Sequence, residues 1–124
     1  MSTAIRRACS SAIRLAVFAL VSVWLLSAGG PGFRSRRQLD DHFSKHGTEF
    51  GRITKLEYLR MAQELRDAPK AGDILEAVRN DGVMTRFQRK KGWFGAYNPD
   101  GTIRTFFIPN DGERYFRRQA ARPQ

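Results

Sequence analysis

The chain has 124 residues and a formal net charge of +10, with 22 Lys and Arg against 12 Asp and Glu. That length accommodates one domain, and its single cysteine, Cys9, excludes a disulfide framework or a cysteine metal site in that domain. The sequence holds no phosphate-binding glycine loop, nucleophile elbow or dinucleotide fingerprint, so ATP use and redox chemistry have no support.

Residues 1–14 carry Arg6, Arg7 and Arg14 and no acid, and residues 15–28 are apolar and uncharged. A basic region followed by a short apolar run is the layout of a secretory signal. The run falls short of the roughly 20 residues of a full span. Ala28 is a suitable last residue of a cleaved signal, with Ser27 and Gly29 a second choice; an uncleaved anchor in the inner membrane is the alternative. The expected location is therefore exported, whether secreted or periplasmic, or membrane-anchored. Gly29-Gly30-Pro31-Gly32 reads as a breaker, and residues 29–35 as a linker.

Leu39 and Phe43, four apart, predict a helix over Arg36–His46. Gly47 is its stop signal. Thr54 with Glu57 three residues on is a capping-box signature. It opens a second helix over residues 55–66 with an apolar face of Leu56, Tyr58, Leu59, Ala62 and Leu65, ended by Asp67-Ala68-Pro69. Ile74, Leu75 and Val78 suggest a short helical turn or an irregular approach. After Asn80-Asp81-Gly82 the pattern changes to strands at residues 83–89, 93–97 and 102–108, separated by Lys90-Lys91-Gly92 and Asn98-Pro99-Asp100-Gly101 turns. Pro109-Asn110-Asp111-Gly112 is another turn, with a short edge strand expected at residues 114–118 and a tail at residues 119–124. The expected fold is α+β: N-terminal helices packed on a small antiparallel four-stranded sheet, preceded by a hydrophobic targeting helix.

Three constellations could carry chemistry. His42 and His46, the only histidines, are four apart, so a helix puts them on one face. Histidine exchanges protons near neutral pH, and two of them bracketing a phosphodiester could serve as base and acid for attack by a ribose 2′-hydroxyl. Lys45 would stabilise charge on the phosphate. Zinc shared by the pair is a second reading, although no third ligand stands out. Two surface histidines favoured by a helix C-terminus is the plain one. Second, alternation puts Ile103, Thr105 and Phe107 on one face of their strand, and Arg104, Phe106 and Ile108 on the other. Thr105 and Arg104 are potential hydrogen-bond donors to a phosphate. Third, Arg79, Arg86, Arg89, Lys90 and Lys91 interleave with Phe87, Trp93 and Tyr97, a composition suited to flexible RNA or to a solvated charged face.

The run Leu39-Asp40-Asp41-His42-Phe43-Ser44-Lys45-His46-Gly47-Thr48-Glu49-Phe50-Gly51, followed by Glu57-Tyr58-Leu59, Phe94-Gly95 and residues 100–109 (Asp-Gly-Thr-Ile-Arg-Thr-Phe-Phe-Ile-Pro), resembles the C-terminal nuclease domains of bacterial polymorphic and contact-dependent inhibition toxins. More distantly it is similar to the tRNA-cleaving domain of colicin D, in the barnase–EndoU–colicin–RelE group. The resemblance covers residues 36–118. It implies that Lys45-His46 matches the catalytic Lys-His pair, and that Thr105 and Phe107 stand where colicin D has serine and tryptophan. Phe43 occupies the place of a second colicin D lysine. The implied chemistry is metal-independent transesterification leaving a 2′,3′-cyclic phosphate and a 5′-hydroxyl, with a cognate immunity protein as partner.

The combined expectation is an endoribonuclease toxin, with tRNA as candidate substrate. His46, His42, Lys45 and Thr105 would be catalytic, and Arg86, Arg104, Phe107 and Tyr115 would bind substrate. No cofactor is expected, the domain is expected to be monomeric, and residues 1–28 would engage the membrane or export machinery. The competing expectations are a non-catalytic, envelope-tethered module that binds nucleic acid or protein, and an envelope structural protein facing anionic lipid.

Overall fold

A computed structural model describes residues 29–122. The signal or anchor, the targeting helix and the last two residues of the tail lie outside the described residues. Among those described, no helix is long and apolar enough to cross a membrane.

The described residues form three α-helices and a four-stranded antiparallel sheet. Helix α1 spans Arg36–His46 and starts where Ser35 accepts the Gln38 N–H at 3.1 Å. Its end differs from the simple stop expected at Gly47. That residue keeps a right-handed helical backbone and leads into a 3-10 turn, Gly47–Phe50. Glycine is required there by contact, because a Cβ would lie 2.6 Å from the Phe43 ring. The chain turns away only at Gly51, whose φ is 88°.

Helix α2, Lys55–Asp67, opens with both halves of the capping box: Thr54 Oγ1 accepts the Glu57 N–H, and Glu57 Oε1 accepts the Thr54 N–H. It buries Tyr58, Ala62 and Leu65, but Leu56, expected on the apolar face, is 54% exposed. Gln63 and Arg66 are buried in its place among the helix's inward residues. Their side chains donate to carbonyls of the segment before α1, Gln63 to Gly30 and Pro31 and Arg66 to Gly29 and Pro31, and Arg66 also donates to Gly101 in the turn after residue 97. The segment expected as a linker is thus tied to the domain, and it places Phe33 against the core.

The sheet is a meander in the order β1 (Ile74–Val78), β2 (Met84–Gln88), β3 (Trp93–Tyr97), β4 (Ile103–Phe107). Two expectations are corrected. Residues 74–78 are a strand, not a helical turn, paired with β2 along their whole length. Asn80-Asp81-Gly82 is the turn of that hairpin, with Gly82 at φ 86° and Asp81 Oδ1 accepting the Val83 N–H. Residues 114–118 are not an edge strand but part of helix α3, Glu113–Ala120. Glu113 pairs with Arg117 one turn on, and Phe116 is buried against the sheet. The sheet has the expected number of strands, but its first strand precedes the others in the chain and its C-terminal partner is a helix.

Helices cover both faces. Tyr58, Ala62 and Leu65 of α2 pack with Tyr97, Ile103 and Phe106 on one face, and Phe116 packs with Val83, Phe87, Phe94 and Ala96 on the other. Tyr97 donates its hydroxyl to Ala62 O at 2.7 Å, and Tyr58 donates to Phe106 O. A register shift interrupts β3–β4: Tyr97 faces Ile103 and Ala96 faces Thr105, so Arg104 has no partner. The strict alternation expected along β4 is therefore broken. Ile103 joins Phe106 on the α2 face, while Thr105 and Phe107 lie on the other. The outer edge of β4 is covered by α1 and its flanks. Ile103 donates its N–H to Gly32 O, and Ile108 donates to Glu49.

Candidate active site

The cleft lies where α1 crosses the β4 edge. Leu39 and Phe43 turn toward α2 and the core, so the remaining inward face of α1 presents His42 and His46 toward β4. Asp41, His42, Lys45 and His46 form one wall, and Thr105, Phe107 and Tyr115 the other, around a volume of about 580 Å³. That is within the size range of small-ligand sites.

His46 is held on two sides. Its ring stacks on Phe107 with centroids 5.1 Å apart, and its Nδ1 lies 2.8 Å from Glu49 Oε2. The other carboxylate oxygen, Glu49 Oε1, accepts the Ile108 N–H at 2.9 Å. Glu49 therefore anchors the histidine to the end of β4. With Nδ1 donating to the carboxylate, Nε2 is the nitrogen left for chemistry. The 3-10 turn after α1 is what brings Glu49, three residues later, back beneath His46.

His42 sits one turn earlier, its ring 6.1 Å from His46 and 5.0 Å from Phe33. Its Nδ1 is buried without a hydrogen-bond partner. Burial, and then the charges of His46 and Lys45, lower its pKa below the ordinary 6.5, with Asp41 opposing. The shift favours the neutral imidazole, the form that can accept a proton. Phe107 meets Tyr115 edge-on at 5.2 Å, and Tyr115 meets Phe94 in the same way at 4.9 Å, which fixes an aromatic floor beside the histidines.

Six of the eight residues expected at the site, His46, His42, Lys45, Thr105, Phe107 and Tyr115, line this one cleft. Arg104 lines the adjoining recess. Arg86 does not belong to it. Its buried guanidinium pairs with Glu76 at 2.7 Å and donates to Leu65 O and Ala68 O, so it ties α2 to the sheet instead of meeting a phosphate. The basic–aromatic set is likewise not one surface. Phe87 and Tyr97 are core, Arg89 pairs with Glu113, and Arg79 donates to Gln119, while Lys91 lies 4.4 Å over Trp93. No protein-family model matches the chain, and no curated protein matches it either.

Glu49, Arg34 and Phe33 are among the residues at the site that escape sequence reasoning. An acid three residues after a histidine is visible in the sequence, but only the 3-10 geometry makes the two meet. Among the described residues, no three His, Cys, Asp or Glu side chains converge as a metal-binding group.

Proposed function

We propose that this domain is an endoribonuclease that cleaves RNA by transesterification without a metal, with tRNA as the candidate substrate, and that it acts as an exported toxin restrained by an immunity protein. The observation that carries the reading is the Ile108–Glu49–His46 relay, which presents one oriented imidazole to a cleft shared with a second histidine.

The chemistry follows from what these groups can hold. A base removes the 2′-hydroxyl proton, O2′ bonds to phosphorus, the P–O5′ bond breaks, and O5′ takes up a proton. His46 is assigned the acid–base role at Nε2, and His42 the second proton position. Lys45 neutralises charge on the phosphoryl oxygens, Thr105 donates its hydroxyl to one of them, and Phe107 with Tyr115 offers aromatic surface to an unstacked base. Single-stranded loops, as in tRNA, admit such a base.

The full-length chain, purified in mild detergent, is incubated with total tRNA in EDTA. Cleavage to 2′,3′-cyclic phosphate ends is expected, with His46→Ala slower by about 10²–10⁴-fold, the span of general acid–base catalysis. Intact tRNA, or cleavage unchanged by His46→Ala, refutes the assignment. Binding without cleavage would instead favour a non-catalytic module.

A further inference from the structure

A second recess adjoins the cleft, lined by Arg34, Gln38, Asp41, His42, Asn98, Ile103 and Arg104. Asp41 and His42 belong to both, so the two adjoin along α1. We propose that this recess is a phosphate subsite, in which Arg34 and Arg104 together hold the backbone phosphate next to the one attacked, so that the site reads a continuous single strand of RNA. The proposal rests on the ribonuclease reading and deepens it.

Several independent features support it. The β-bulge leaves Arg104 as the unmatched residue of β4, and its exposed side chain falls on the recess instead of the core. Bulges beside functional sites commonly re-aim a side chain in this way. Arg34 comes from a different element, the turn just before α1, whose position is set by the Phe33–Ile103 bridge and the Ser35 cap. Two arginines are thus brought to one recess, one from β4 and one from the segment bridged to it.

Neither is held in an ion pair. Among the described residues, ion pairs engage Lys55, Arg66, Arg86, Arg89, Arg117 and Arg118, but neither Arg34 nor Arg104. Of the acids flanking the recess in sequence, Asp40 pairs with Lys55, and Asp100, whose carboxylate also feels the Arg34 charge, accepts the Thr102 N–H and hydroxyl on its Oδ1 at 2.9 and 2.7 Å. Asp41 is the one carboxylate lining the recess, and it leaves a cationic surplus with Arg34, Arg104 and the adjacent Lys45. Arginine forks match phosphate oxygens bidentately, which distinguishes this recess from the exposed lysine turn at Lys90 and Lys91. Gln38 supplies a polar side chain at the same opening, suited to the sugar between the two phosphates, while the Asn98 amide N–H donates to the Thr102 hydroxyl.

The test measures binding separately from cleavage. The probe is a fluorescein-labelled 2′-O-methyl hexanucleotide, which lacks the nucleophilic hydroxyl and stays intact whatever the protein's activity. Anisotropy is recorded over a salt series with the full-length chain in detergent. The R34Q/R104Q double variant is expected to weaken binding about tenfold, as loss of a charge-assisted contact predicts. It should also reduce the log–log salt slope by about 0.7, the contribution of one phosphate on a single strand. Asp41→Asn is expected to tighten binding, and Lys90→Gln to leave the slope unchanged. Thermal melting confirms that each variant folds; should the double variant fail to fold, the single variants R34Q and R104Q carry the same comparison. Affinity and slope equal to wild type in R34Q/R104Q overturn the subsite, even if the wild type cleaves tRNA. A reduced slope in a chain that does not cleave tRNA supports the subsite while refuting the catalytic reading.

Discussion

Replacing Glu49 by glutamine tests the site at its most informative point. The carboxylate accepts two hydrogen bonds at once, from His46 Nδ1 and from Ile108 N–H. Glutamine has one acceptor oxygen and a donor amide of nearly the same shape. If its oxygen stays on Ile108, its amide faces Nδ1, and the proton must move to Nε2, the atom assigned to chemistry. In serine-protease triads the equivalent carboxylate-to-amide change lowers kcat by about 10⁴ through the wrong tautomer. Glu49 is 32% exposed and His46 15%, so water can stand in for part of the lost interaction. The expected loss is therefore smaller, about 10²-fold in kcat, at the low end of acid–base contributions. KM should change little, because the carboxylate does not line the cleft. Stability should fall by only about 1 kcal/mol, the worth of one ordinary hydrogen bond. Steady-state cleavage of a dinucleotide gives kcat and KM, and imidazole ¹⁵N spectra report the His46 tautomer. Glu49→Asp should recover part of the rate. Wild-type kcat in Glu49→Gln, alongside loss of activity in His46→Ala, would show that the relay does not serve catalysis.

Two further predictions rest on the same geometry. Because burial and neighbouring cations lower the His42 pKa below 6.5, the unfolded chain binds that proton more readily than the folded one. The stability tied to neutral His42 is complete above about pH 6.5 and is lost as pH falls through its lowered native value. Melting temperature should decline on acidification, and His42→Phe should flatten that decline; an equal slope in the variant would contradict the assigned cause. Arg86→Met should destabilise the fold by about 3–5 kcal/mol in urea titrations, since it strands the Glu76 carboxylate. RNA affinity of the folded variant should be unchanged, and weakened binding with intact stability would return Arg86 to the phosphate.

Local rules were sufficient for much of the molecule. Ser35, Thr54 with Glu57, and the glycine turns mark boundaries through hydrogen bonds and backbone freedom that act over a few residues, so α1, α2, β3 and β4 could be read close to their observed limits. The histidine pair was legible for the same reason, since a spacing of four on a helix gives a shared face wherever the helix packs. The errors fell on short segments. Ile74–Val78 has too few residues for a period to separate strand from helix, and its assignment comes from pairing with β2. Glu113–Ala120 has Tyr115 and Phe116 adjacent, and becomes helical where Phe116 can enter the far face of the sheet. Arg86 read as a free cation because its partners, Glu76, Leu65 and Ala68, come from two other elements.

The amino-acid sequence by itself determined the basic character of the chain, the α+β class and the residues able to move a proton. Tertiary structure decided which of those residues lie together. It bent the chain after α1 so that Glu49 reaches His46, and it inserted one residue in β4 so that Arg104 faces outward beside Arg34. Contacts between elements distant in the chain depend on how several faces pack at once, and no local pattern encodes that.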